Sequence, residues 1–483
     1  MSGLPATAKI AVIGGGVSGL VAAHRLGSRH AVTLFEANDY IGGHTHTVMV
    51  DIDGERHAID TGFIVFNNRT YPNFVALLDE LGVASQPTSM GFSLRCDHTG
   101  LEYSGATLNG VFAQRRNLLR PSFHRMLRDI LRFNREAVRT VLCGGWEDCR
   151  DETTVADYVH RGRYSREFVE HYLLPLGSAI WSCPVGTFAE FPIRFVVEFY
   201  QNHGMLSLQD RPLWRVVQGG SQTYVAEILR RFSGQVFQQT PIERVRRFPD
   251  RVEVTPRGSS PLAFDHVVFA CHADQALRVL ADPARNEREL LAEFRYEKNR
   301  AVLHTDTSLL PRRRRAWASW NYLLSAGSAS ARSKKSTEPG RISGARRWSG
   351  SDFYSGPERS RGSGATVTYC MNILQQIRSK YVFNVTLNGE PLIDPAKILG
   401  RFEYDHPVFT ARRAAAQGRH SELLNVNRTS YCGAYWRNGF HEDGVVSAIA
   451  VCEALRGRPP ARPEPNSAAR SPRDSQSICE IVH

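Results

Sequence analysis

The chain has 483 residues, enough for more than one hydrophobic core, and 42% hydrophobic with 22% charged content is the balance of a globular protein. No stretch approaches the ~20 uncharged apolar residues that cross a bilayer, so no transmembrane helix is expected. The net charge of +12 raises the question of nucleic acid, but the excess falls on Arg312–Arg315, on 326–366 and on 456–483. The remainder is nearly neutral, so solvated charge is the reading and no nucleic-acid partner is expected.

Nine cysteines stand singly, with no Cys-x-x-Cys pair, which argues against a disulfide framework or a zinc site. Reduced, buried thiols in a cytoplasmic protein, at most peripheral at a membrane, are the expectation. Lys9–Ile13 reads as a short buried strand and Val17–Leu26 as the helix that follows it. Glycines at turn spacing, with no small-residue cleavage site, favour this over a signal peptide. Ala31–Phe35 is a second strand, with Glu36 at its carboxyl end.

In that β–α–β setting, Gly14-x-Gly16-x-x-Gly19 is a dinucleotide fingerprint. The first glycine permits the reversal, the second admits the diphosphate and the third lets the helix lie close. The helix amino end, including Ser18, offers N–H groups and partial positive charge. Glu36 is placed to accept the ribose hydroxyls and to repel a 2′-phosphate, which disfavours NADP. Gly42 and Gly43, with His44 and Thr45, supply flexible backbone and polar side chains where the diphosphate of a longer cofactor would run.

Val48–Val50 and Arg56–Ile59, joined through Asp53-Gly54, predict a hairpin. From Ser122 to Val141 a basic amphipathic helix is expected, packing on its own domain in preference to facing a membrane. Residues 160–215 are aromatic and punctuated by proline, suited to a pocket or to a core. Val216–Ser221 leads into a helix over Thr223–Arg231, followed by strands around Val236 and Val252 and at Val267–Ala270. The stretch 325–366 is Ser/Gly/Arg-rich without periodicity and reads as a dispensable insert, and 457–483 as a frayed tail. Near the end, Gly433, Glu442, Asp443 and Gly444 precede a helix predicted over Val445–Leu455. A helix amino end there would favour an anionic reduced flavin, so the pattern as a whole points to non-covalent FAD.

Several stretches carry a resemblance to a known superfamily. They are Gly62–Asn67, Thr70–Asn73, Ser89–Ser93, Phe112–Asn117, Ala270–Ala276, Leu303–Asp306, Trp317–Tyr322 and Gly439–Gly444. Together with the fingerprint they resemble the flavin amine oxidase superfamily, which includes protoporphyrinogen oxidase and phytoene desaturase. Within it the sequence is most similar to bacterial amine-oxidase-like proteins and to the oxidase-like half of plant cyclopropane fatty acid synthases. The resemblance implies an α/β fold: a Rossmann-like FAD-binding domain of the GR2 type (1–95, 208–285 and 425–456) and an α+β substrate domain (96–207 and 286–424).

It also implies hydride transfer from a carbon centre to the flavin, with Lys298 as the uncertain counterpart of the lysine near the flavin in many amine oxidases. His304 and Asp306 are the other candidates on the substrate side, and Trp181, Trp320, Tyr322 and Tyr435 for an aromatic lining. By association with cyclopropane synthases, the resemblance implies an apolar, fatty-acyl or other lipid substrate and a cyclopropane-synthase-like enzyme as partner. The alternatives are a flavin-binding scaffold without turnover and a true amine oxidase. The arginines at 312–315 and the basic helix suggest weak, salt-sensitive contact with anionic lipid.

Overall fold

Five parallel strands form the first sheet, in the order Gln235–Phe237, Ala31–Phe35, Lys9–Ile13, His266–Phe269 and Thr429–Tyr431. The computed structural model describes residues 4–5, 7–142, 153–181, 183–207, 211–325 and 365–458. The central strand β1 (Lys9–Ile13) has Ile10, Ala11 and Val12 fully buried, as expected of a parallel strand covered on both faces. On one face lie α1 (Val17–Gly27), the helix Gln222–Arg231 and the last helix, His441–Leu455. The other face carries the helices Ala273–Val279 and Arg285–Leu291, and a three-stranded antiparallel meander. Three distant parts of the chain therefore build one dinucleotide-type domain, in line with the α/β class expected.

The second sheet has seven strands, in the order Ile398–Pro407, Tyr296–His304, Asn384–Leu387, Ala365–Cys370, Trp320–Leu324, Phe92–Cys96 and Leu101–Ser104. All its pairs are antiparallel except Trp320–Leu324 with Phe92–Cys96. Phe92–Cys96 thus pairs in this second sheet, although the boundary expected at residue 95 puts most of it with the first. Leu324 pairs with Ala365, so the expected insert leaves and re-enters the sheet at adjacent strands. Of the expected insert 325–366, residues 365 and 366 belong instead to the strand Ala365–Cys370, while 326–364, and the tail from 459, lie outside the described residues.

The predicted hairpin forms as Thr47–Ile52 and Glu55–Asp60, turning through Asp53 and Gly54, both at positive φ. The basic helix runs Pro121–Ala137 and continues as a wider turn, Val138–Leu142. It buries Phe123, Met126 and Phe133 within the protein, while Leu131 stays exposed, so most of its apolar stripe is not free for a membrane. The aromatic segment folds into short helices around Phe168, Trp181, Phe188, Phe191 and Phe199. Among the described residues, no helix is long and apolar enough to cross a membrane.

Candidate functional site

A cavity of about 990 Å³ opens at the carboxyl ends of the parallel strands and runs into the second domain. This is where open α/β sheets bind their ligands. Gly14 (φ +109°) turns the chain sharply, and a Cβ there would lie 2.8 Å from the backbone of Ala270 and Cys271. At Gly19 a Cβ would fall 1.9 Å from the Gly14 carbonyl oxygen, so only glycine lets α1 sit against the turn. Gly16 differs: its Cβ would meet nothing nearer than Gly43 Cα at 4.0 Å. The turn thus leaves a cradle over Gly16 at the amino end of α1, where no side chain caps the helix. Ser18 also lines the cavity.

Glu36 closes the far side of the turn. Its carboxylate accepts from the Gly15 N–H at 2.7 Å and the Asn38 N–H at 2.8 Å. Gly42 and Gly43 (φ +141° and +60°) bring a second loop against the first, and Gly42 N–H donates to Gly15 O. Both glycines and His44 line the cavity. Thr45 does not: it is fully buried, with its hydroxyl 2.6 Å from Tyr224 Oη and 3.1 Å from His441 Nε2.

The carboxyl-terminal motif contributes Gly433, Ala434, Tyr435, Gly439, Phe440 and His441 to the cavity wall. Its helix begins at His441, four residues earlier than expected, so Gly444 lies inside the first turn. There a Cβ would meet Val17 Cγ1 at 2.7 Å and Ser18 Oγ at 2.9 Å, which makes Gly444 a point of close helix approach. Glu442 turns away from the cavity and accepts from Asn73 N–H, Asn73 Nδ2 and Phe74 N–H, holding the amino end of the helix Pro72–Leu81. Asp443 accepts from Phe440 N–H at the start of its own helix, and burial raises its pKa to about 6.

His441 stacks on Phe63, with centroids 3.5 Å apart and planes 8° apart, and burial holds it well below the ordinary histidine range. His44, His272 and His406 gather on the same wall. Burial and mutual repulsion hold His44 at about 3, and burial holds His406 at about 4, so both stay neutral. Sequence reasoning missed His272, His406 and Phe63 as site residues, although His272 and Phe63 lie inside stretches already singled out.

The substrate-side candidates lie elsewhere. Tyr296 lines the cavity, but Lys298, two residues on, is exposed and outside it. His304 is a further six residues along that strand, so it stands roughly 26 Å from Tyr296 at ~3.3 Å per residue. It is fully buried, 2.7 Å from Thr386 Oγ1. Asp306 accepts from Ser308 N–H and Asp394 N–H and has Lys397 Nζ at 3.6 Å, which makes it the organiser of a turn. Of the expected aromatic lining, Trp181, Trp320 and Tyr435 reach the cavity and Tyr322 does not. Among the described residues, no lysine lines it.

Residues 17–309, more than half the chain, match the family model described as flavin containing amine oxidoreductase. The chain belongs to this family. It is a flavin-dependent oxidoreductase with FAD as cofactor. The cavity fits that group: the cradle over Gly16 is open, and the buried Tyr435 hydroxyl and Trp181 indole N–H have no hydrogen-bond partner among the described residues.

Solved structures share the fold over nearly the full length. A double mutant of putrescine oxidase matches with TM-score 0.61 and 13% identity, covering 94% of this chain and 99% of that one. Cyclohexylamine oxidase from Brevibacterium oxydans IH-35A gives 0.60 and 16%, covering 93% and 99%. The CLA-producing fatty acid isomerase from P. acnes gives 0.60 and 12%, covering 94% and 99%. At such identities the likeness is one of fold. No curated protein sequence matches the chain.

Proposed function

We propose that this oxidoreductase holds FAD non-covalently along the Gly14–Gly19 turn, with Glu36 at the ribose and Gly42, Gly43 and His44 beside the diphosphate. We further propose that it acts on a carbon centre of an apolar, acyl-chain substrate. Bound FAD supplies an acceptor for hydride from carbon. The chain's own task is to seat the substrate and keep water out, and the aromatic half of the cavity is built for that. Tyr103, Tyr172, Leu176, Ile180, Trp181 and Phe199 wall it.

The observation that carries the reading is the composition of that wall: large apolar side chains and no lysine. Arg211, near Tyr172 in the lining, offers a cation for an acyl carboxylate. The CLA-producing fatty acid isomerase lends support from the same fold. A second reading, an amine substrate, has Glu403 and Asp405 in its favour, since both carboxylates line the cavity and could hold an ammonium group. The putrescine and cyclohexylamine oxidases stand on that side.

Titration of the flavoprotein with fatty acids of increasing length, followed by the flavin difference spectrum, tests the acyl reading. Each added methylene is worth ~0.8 kcal/mol when buried, or about fourfold in affinity, until the cavity is full. Trp181→Ala should flatten that dependence. Affinity independent of chain length, with tight binding of small amines, would transfer the case to the amine reading.

A further inference from the structure

The strand Leu101–Ser104 runs through an exposed turn, whose residues Gly105 and Ala106 line the cavity, into the short helix Leu108–Val111. Two residues beyond that rim, Leu108 stands 81% exposed. The next turn, Arg115–Leu119, adds Leu118 at 49% and Leu119 at 88%. Arg115 Nη2 donates to Asn109 Oδ1 and Arg115 Nη1 to Phe112 O, which ties the two elements together. Leucines exposed singly need no explanation, whereas three on elements joined beside a cavity rim call for one.

The charge around the patch is predominantly basic. Arg115, Arg116 and Arg120 spend their hydrogen bonds on Asn109 and on the carbonyls of Phe112, Gly100 and Thr99, not on carboxylates. The turn Arg314–Ala316 packs against both Leu108–Val111 and Leu101–Ser104, which brings the exposed Arg312–Arg315 to the same region. The nearby carboxylates are engaged: Glu102 is buried and accepts from Arg313 N–H, and Asp97 pairs with Arg95 and, at 3.9 Å, with Arg312.

We infer that this face docks on an anionic phospholipid bilayer. Leu108, Leu118 and Leu119 enter the headgroup–acyl boundary, and the arginines meet the lipid phosphates. Apolar residues rimmed by basic ones are the composition that binds such an interface, and neither component alone accounts for the other. The cavity rim at Gly105–Ala106 then faces the lipid, so an acyl substrate could enter without crossing water. That last consequence rests on the acyl reading above, whereas the docking itself does not. The basic helix Pro121–Ala137 contributes charge to this region, but most of its apolar stripe is used within the protein.

The test is co-sedimentation of the full-length flavoprotein with vesicles of phosphatidylglycerol or of phosphatidylcholine. Binding to the anionic vesicles should exceed that to the neutral ones by about tenfold or more and fall steeply with salt. Leu108→Ser with Leu119→Ser should cut partitioning by about tenfold per leucine, with an unchanged melting temperature. Replacing Arg312–Arg315 by glutamine should abolish the preference for anionic lipid. Equal binding to both vesicle types, no binding to either, or binding indifferent to the leucine pair would overturn the inference, the last result marking a plain polycationic patch. Titration with a soluble short-chain fatty acid, without vesicles, reads the cavity alone. Vesicle binding without such a cavity response would refute the acyl reading and leave the docking intact.

Discussion

Gly16 is the position at which the fold tolerates a side chain and, on the proposed placement of FAD, the cofactor would not. Its φ of −73° and ψ of −179° are ordinary for an L residue at the start of a helix, so Gly16→Ala introduces no backbone strain. The new methyl meets Gly43 Cα no closer than 4.0 Å and otherwise projects into the cavity. The stability change should therefore stay within about 1 kcal/mol, the range for helix-cap substitutions. The diphosphate, in contrast, would be lifted off the turn and lose two or more charge-assisted hydrogen bonds, at ~1.5 kcal/mol or more each.

That is about 3 kcal/mol, or at least a hundredfold in Kd for FAD. Gly16→Val should go further. Melting of the apoprotein by circular dichroism and quenching of FAD fluorescence on titration separate the two effects. Gly14→Ala is the contrast, because positive φ and a 2.8 Å approach to the Ala270 and Cys271 backbone predict that it fails to fold normally. A Gly16→Ala variant that binds FAD like the parent, or that loses its cooperative melt, would refute the reasoning.

Lys298→Ala should change the rate of flavin reduction by no more than about twofold, since the side chain is exposed and outside the cavity; a drop of tenfold or more in stopped flow would place it in the reaction. Asp306→Ala should cost about 2–3 kcal/mol of stability in urea melts, by freeing two backbone N–H groups and Lys397, and leave FAD affinity unaltered; a selective loss of FAD affinity would contradict that. The pH dependence of stability should be set by buried histidines. Burial holds His44 and His266 near 3, holds His203, His304, His406 and His420 near 4, and holds His441 well below 6.5. Each stays neutral in the fold while the unfolded chain takes up its proton below about 6.5, so stability falls on acidification by up to ~1.4 kcal/mol per pH unit per group. Asp60 and Asp443, raised by burial to about 6, work the other way between about 4 and 6 but are outnumbered. The melting temperature should decline from pH 7 to 5, and one that stays level or rises would overturn this assignment.

The glycine turn and the position of Glu36 were legible because their determinants are local. Gly14, Gly16, Gly19 and Glu36 lie within one β–α–β unit, where turn chemistry can be read directly from the sequence. Direction within the last motif was not legible. Glu442 lies next to a cavity-lining histidine, yet its carboxylate is engaged by Asn73 and Phe74, some 370 residues away in the chain. His304 ends the strand that Tyr296 opens at the cavity and Asp306 follows it into a turn, and only the extent of that strand shows that both lie at its opposite end. The aromatic wall was foreseen as a composition, but its assembly was not. Phe409, from the far side of the sequence, closes on Phe195 at 4.6 Å and completes a cluster with Trp181. Such convergence is tertiary, and periodicity carries no trace of it.

Anaerobic stopped-flow mixing of the FAD-loaded protein with acyl lipids and, separately, with amines tests the central claim most directly. Loss of the oxidised-flavin absorbance with an acyl substrate, faster for longer chains and absent with putrescine or cyclohexylamine, is the predicted result. Rapid bleaching by an amine, with none by acyl chains, would contradict it.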